Sequence, residues 1–200
     1  MGKKYAYEVD AMKKSLIPWL LAAALMLLSS CRPGFDGEET AKELQKSFAG
    51  AEQIRFTADI RADYGDRVWD FSVSFRGTAG EGEVTVTSPQ EIAGTTLRFS
   101  AGESYLLRGD REIYTGEILP QGLSPADVLP MLLDQWAGGL IVETVRENLE
   151  GEECLSVLFR VDERVTARTW FTLKTLLPKA AEVTLDGFTV VMVNFGDVVT

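Results

Sequence analysis

From residue 54 onward, apolar and polar positions alternate with a period of two. Ile54, Phe56, Ala58, Ile60 and Ala62 fall on one side of an extended chain, and Arg55, Thr57, Asp59, Arg61 and Asp63 on the other. This is the pattern of an antiparallel strand with one buried and one solvated face. Tyr64-Gly65-Asp66 turns the chain, and the next strand sets Trp69, Phe71, Val73 and Phe75 against Asp70, Ser72, Ser74 and Arg76. Gly80-Glu81-Gly82 turns it again into a strand carrying Val84 and Val86. Shorter strands follow at 97–99, 105–107 and 112–115. After residue 140 the alternation resumes over 141–148, 154–161, 165–173, 181–185 and 188–195, with Asp186-Gly187 as a two-residue hairpin signal. The last strand is apolar on both sides (Phe188, Val190 and Met192 against Val191, Val193 and Phe195), so both sides are expected to be covered.

Two segments have helical spacing instead. Residues 38–48 place Ala41, Leu44 and Phe48 on one face, with Glu38 and Glu39 early and Lys46 late, as the helix dipole favours. In mid-chain, Ser124 or Asp127 can cap a helix reaching about Trp136, with Val128, Leu129, Leu132, Leu133 and Trp136 apolar. Pro130 falls in its first turn if Asp127 is the cap. That helix carries too many large apolar side chains to lie on a surface. The expected fold is mainly β with α: a strongly curved antiparallel sheet, an unclosed barrel of ten or eleven strands, wrapped around a central helix and preceded by an N-terminal helix.

The first 31 residues are of another kind. Met12-Lys13-Lys14 leads into an apolar run from Leu16 to Leu28, too short for a stable membrane span, and then into Leu28-Ser29-Ser30-Cys31. A basic start, a short apolar run and small residues read as a secretory signal that is complete from Met12, with residues 1–11 as an extension before it. Leu28, Ser29, Ser30 and Cys31 resemble the bacterial lipobox, in which the cysteine receives a diacylglycerol before cleavage. The resemblance implies residues 1–30 as a lipoprotein signal peptide, 31–37 as a lipidated tether and 38–200 as one domain. It also implies an extracytoplasmic location on a cell membrane, or on an outer membrane if the host has one. The only prosthetic group expected is the acyl lipid on Cys31.

Charge agrees with a lipid rather than an electrostatic anchor. The chain has 20 basic and 30 acidic residues, net −10; without residues 1–30, 16 and 28 remain, net −12. Such a domain is repelled by nucleic-acid backbones and by anionic lipid headgroups. With Cys31 acylated, Cys154 has no internal partner and is expected to pack as a small apolar residue in a strand.

The order of elements resembles the LolA/LolB-like family of outer-membrane lipoprotein carriers and receptors, and its lipid-anchored clostridial relatives, the germination lipoproteins. Four stretches carry the likeness: the leading helix with Ile54–Asp63; Val84-Thr85-Val86-Thr87-Ser88-Pro89; Leu123-Ser124-Pro125 running into Leu129-Pro130-Met131-Leu132-Leu133; and Trp170-Phe171-Thr172-Leu173 through Pro178-Lys179 to the closing hairpin. The resemblance implies an apolar cavity that accepts acyl chains, with Trp69, Phe71, Phe75, Phe99, Trp136 and Trp170 as its candidate wall. Alternating rings on strands ordinarily fill a core, and these would do so if the mid-chain helix seats tightly. A tethered chain does not shuttle between membranes. Two roles therefore stand: a lipid or lipoprotein acceptor, or a scaffold for an envelope protein, such as a sporulation or germination lipoprotein that binds and activates a cell-wall amidase.

Enzymatic chemistry has little support. There is no histidine, the commonest general base and metal ligand. One unlipidated cysteine makes no zinc cluster. Gly77, Gly80 and Gly82 belong to a hairpin rather than a phosphate cradle, and the acids are spread over turns and solvent faces. A non-enzymatic binding module, with no metal, is expected.

Overall fold

The computed structural model describes residues 35–65, 67–117 and 125–200. Gly37–Thr200 forms one compact unit, and it holds every element described here. Its order is α1 (Gly37–Ala49), β1 (Ile54–Asp63), β2 (Val68–Gly77), β3 (Glu81–Ser88), β4 (Thr96–Ser100), β5 (Glu103–Arg108), β6 (Arg111–Glu117), α2 (Pro125–Gly138), β7 (Leu140–Leu149), β8 (Glu152–Arg160), β9 (Val165–Thr172), β10 (Pro178–Leu185) and β11 (Phe188–Val199).

The strands form one eleven-stranded sheet in the order β6-β5-β4-β3-β2-β1-β11-β10-β9-β8-β7. All pairings are antiparallel. Two meanders, β1–β6 and β7–β11, join where β1 meets β11, and β6 and β7 remain as free edges. The sheet is thus unclosed, as the alternation predicts. Period two sets its faces: β1 is strictly buried on Ile54, Phe56, Ala58, Ile60 and Ala62. Asp186 and Gly187 both have positive φ, 51° and 83°, the geometry of a two-residue hairpin that follows the sheet's twist. Gly82 has a packing role: a Cβ there would sit 2.6 Å from the Phe75 ring, which lies across β3.

Both helices pack on the inner face. α1 buries Ala41, Leu44 and Phe48, the face its spacing predicts. α2 buries Val128, Leu129, Met131, Leu132, Leu133 and Trp136. It begins at Pro125, so Pro130 sits in its second turn rather than its first. There Pro130 removes one N–H from the helical ladder. The Ser124 cap, like Asp66 of the first turn, lies outside the described residues.

One expectation is corrected. β11 is not covered on both sides by the described residues: Met192 is 41 % and Phe188 75 % exposed, while Val191 and Val193 are buried. The inner-face helices cover one side, and the outer side faces solvent.

Candidate functional site

The inner face has two unlike halves. Over β8–β11 and β1 the helices seal it. Trp136 is fully buried, with ring centroids 5.2 Å from Phe48, 5.3 Å from Phe195, 5.7 Å from Phe171 and 6.5 Å from Phe56. Its indole Nε1 donates to Thr169 Oγ1 at 3.0 Å, and Thr169 is itself fully buried. A hydroxyl on an inner strand face thus satisfies the one polar atom of the ring that fills the core.

Over β1–β5 the helices leave a hollow of 370 Å³. It is lined by Ile60, Phe71, Val73, Val84, Val86, Ile92, Leu97 and Leu106, with Thr95 and Arg108 as its polar members. The wall arises from simple alternation: Ile60, Val73, Val84 and Leu97 are inward positions of four successive strands. Ile92 comes from the connection between β3 and β4, a compact turn closed by Gly94 N–H donating to the Val86 carbonyl. Arg108 closes β5, and its Nη2 reaches the Glu91 carbonyl oxygen of that same turn at 2.9 Å. Nearly every atom of the wall can bury methylenes and can do no acid–base chemistry.

The six rings singled out in the sequence are dispersed. Phe71 lines the hollow. Phe75 and Phe99 stack beside it at 6.1 Å, buried in the core with Phe56 4.8 Å from Phe75. Trp69 stacks on Phe71 at 6.4 Å but lies near the start of β2, 46 % exposed. Trp136 is core, as above. Trp170 belongs to the other face of the sheet: Thr169 and Phe171 point inward, and the Trp170 indole donates to Glu147 Oε1 at 2.6 Å on the outer side. The wall is therefore aliphatic rather than aromatic. Ile60, Val73, Val84 and Leu97 carried a legible signal in their alternation. Ile92 and Arg108 carried none, since a turn residue and a strand-end arginine look ordinary in sequence. Cys31, with Leu28, Ser29 and Ser30, lies outside the described residues.

Two further features bear on what the fold can do. A larger hollow, 540 Å³, lies over Arg55, Thr57, Ser74, Arg76, Glu83 and Asp197. It is an open hollow on the outer side of the sheet, with Phe56, Phe75 and Val199 also in its lining. The edge strand β7 leaves Leu140, Val142 and Val145 60, 45 and 39 % exposed. Partial desolvation raises the carboxyl pKa of Asp127 and Asp134 on α2, and raises the Tyr64 phenol, with the Asp127 charge as a second cause. Cys154 is buried, and its thiol is pushed up chiefly by burial. Among the described residues no three His, Cys, Asp or Glu side chains are grouped to hold a metal, and no helix is long and apolar enough to cross a membrane.

This chain is similar to solved structures that include a LolA-superfamily protein. The LolA-superfamily protein NE2245 of Nitrosomonas europaea aligns over 80 % of this chain and 91 % of its own, at 11 % identity and a TM-score of 0.48. The lipoprotein LppX of Mycobacterium tuberculosis aligns over 80 % and 96 %, at 12 % identity and 0.40. A chain of the complex between the CwlD amidase and the GerS lipoprotein of Clostridioides difficile aligns over 80 % and 93 %, at 14 % identity and 0.41. At these identities and TM-scores no functional residue is carried across. No protein-family model and no curated protein matches the chain.

Proposed function

We propose that this chain is a non-enzymatic binding module of the cell envelope, tethered by lipid on Cys31, whose inner hollow takes an acyl chain. The observation that carries the reading is the 370 Å³ apolar hollow left open beside a helix-sealed core. That volume falls in the range of ligand pockets, about 300–1,000 Å³. It equals roughly a dozen water volumes at about 30 Å³ each, enough for one alkyl segment of medium length. Burial of each methylene contributes about 0.8 kcal/mol, so one chain supplies several kcal/mol without any charged partner. Residues 1–30 act as the signal, 31–37 as the tether and 38–200 as the binding domain. Release from the membrane is then prevented by the acyl chains on Cys31, and the acidic body stays in water.

Two experiments test this. Native mass spectrometry of the full chain should find a lipid-sized adduct, or uptake of a fluorescent fatty acid. Val86→Trp, which places a large ring in the hollow from a half-buried strand position, should abolish both. A ligand-free mass with no uptake by the unaltered chain refutes the cavity reading. Labelled palmitate should enter the chain and be lost in Cys31→Ser; incorporation that survives that change refutes the anchor.

A second reading, a partner scaffold such as an amidase-activating germination lipoprotein, is favoured by β7. This strand pairs on one side only, with β8, and presents exposed Leu140, Val142 and Val145. Free edges of this kind accept an added strand. A cross-link from Val142 to another envelope protein would favour it.

A further inference from the structure

We propose that the hollow selects single-chain amphiphiles with an anionic head, held at the end of the β5–β6 hairpin by Arg108 and Arg111. This rests on the acyl-chain reading above and adds what recognises the head. Arg108 lines the hollow. Its direct cross-strand partner is Arg111, across the two-residue turn Gly109-Asp110, so both guanidiniums leave the sheet on the same face. Like charges placed opposite one another destabilise a strand pair. Neither arginine forms an ion pair with a described residue. The nearby acids are otherwise placed. Glu112 lies on the other face, 3.7 Å from Arg98, Glu91 offers Arg108 its backbone carbonyl, and Asp110 belongs to the turn itself.

A second observation marks the same end of the hollow. Thr96 pairs with Leu107, and one step further along the register sets Thr95 beside Arg108. Thr95 lines the hollow too, and its Oγ1 is sealed from solvent with no hydrogen-bond partner. A buried hydroxyl without a partner is costly. One lining cation, a second opposite it across the turn and one unsatisfied hydroxyl thus mark the end of the apolar slot, with no counter-ion for either arginine among the described residues. A carboxylate head accepts hydrogen bonds from both guanidiniums and, by parting the side chains that seal it, from Thr95 Oγ1, while its alkyl tail runs along Leu106, Leu97 and Val84 toward Phe71. A neutral alcohol gains only the tail contacts, and a cationic head is repelled.

The test compares three probes with one tail: laurate, dodecanol and dodecyltrimethylammonium. Binding to the full chain carrying Cys31→Ser, held in amphipol so that its own lipid does not compete, is read by calorimetry. Laurate is expected to bind about tenfold tighter than dodecanol, the size of one charge-assisted hydrogen bond. The ammonium is expected to bind weakest. In Arg108→Gln/Arg111→Gln the laurate preference over dodecanol should vanish; Arg108→Lys should retain part of it. Thr95→Val, which keeps the side chain's shape, should weaken laurate binding and raise the melting temperature. Equal binding of laurate and dodecanol, or a preference that survives the double substitution, overturns the proposal and leaves the acyl-chain reading intact. Failure of all three probes to bind overturns both.

Discussion

Trp136 distinguishes a core filled by α2 from a helix that merely lids a cavity. The residue is fully buried, touches four rings at centroid distances of 5.2–6.5 Å and donates to a buried hydroxyl at 3.0 Å. Replacement by alanine removes a ring of the kind whose loss costs about 3–5 kcal/mol. It also strands Thr169 Oγ1, which adds about 1–3 kcal/mol. Together these approach the whole stability of a typical domain, about 5–15 kcal/mol. The graded change is therefore Trp136→Phe. It keeps an aromatic ring and orphans Thr169, for an expected loss of about 1–3 kcal/mol. Thr169→Val leaves the indole N–H unpaired and should cost a similar amount. In the double variant no polar group is left without a partner, so its loss should fall short of the sum by about 1 kcal/mol or more. Urea unfolding followed by far-UV circular dichroism measures all three, with an unchanged m-value as the control for compactness. A Trp136→Ala loss below about 1 kcal/mol, or strict additivity in the cycle, would show that the ring lines free space and that the helix is not part of the core.

Titration gives two predictions of opposite sign. Asp134 sits near the C-terminal end of α2, where the dipole disfavours an anion; the residue is exposed, and partial desolvation against the helix raises its folded pKa above the ordinary value, so the effect is small. Its contribution is therefore present below about pH 3.9 and lost as pH rises through the folded value. Asp134→Asn should raise the melting temperature at pH 7 and leave it unchanged near pH 3; no gain at neutral pH would contradict the assignment. Asp186 behaves oppositely. Arg164 meets it through Nε at 3.0 Å and Nη2 at 2.5 Å, and that hydrogen-bonded pairing lowers its pKa. Its contribution is present above about pH 3.9 and lost as pH falls through the depressed value. Arg164→Gln should flatten the acid limb of a melting-temperature profile, and an unaltered limb would sink the claim. The pair is fully exposed, so the effect is small and should shrink further in high salt.

The sheet was readable because a period of two fixes faces without reference to anything distant. Ile54–Asp63 and the Asp186-Gly187 hairpin needed only local rules, and Ala41, Leu44 and Phe48 marked the buried stripe of α1 in the same way. What local rules cannot supply is position along the curved face relative to the helices. Trp69 and Phe75 lie on one side of one strand, yet the first is nearly half exposed and the second is core. Trp170 was misplaced because a large apolar ring outweighs a neighbouring threonine in any hydrophobic tally. Here it is Thr169 that faces inward, since Trp136 gives it a partner. The wall of the hollow is aliphatic for a related reason: the large rings were taken up by the core around α2. Arg108 and Thr95 could not be found from the chain alone, because their importance depends on strands that pair across a turn.

The seam between β1 and β11 has a consequence for biogenesis. Among the described strands β1 waits for β11, and until then both meanders offer raw edges at what becomes the middle of the sheet. A nascent chain of this topology cannot complete its sheet while β11 is still in the ribosome. Were the chain exported as proposed, this delay would keep it unfolded enough to thread a secretion pore. Shortening the chain by its last dozen residues should leave two sticky half-sheets rather than a slightly smaller protein.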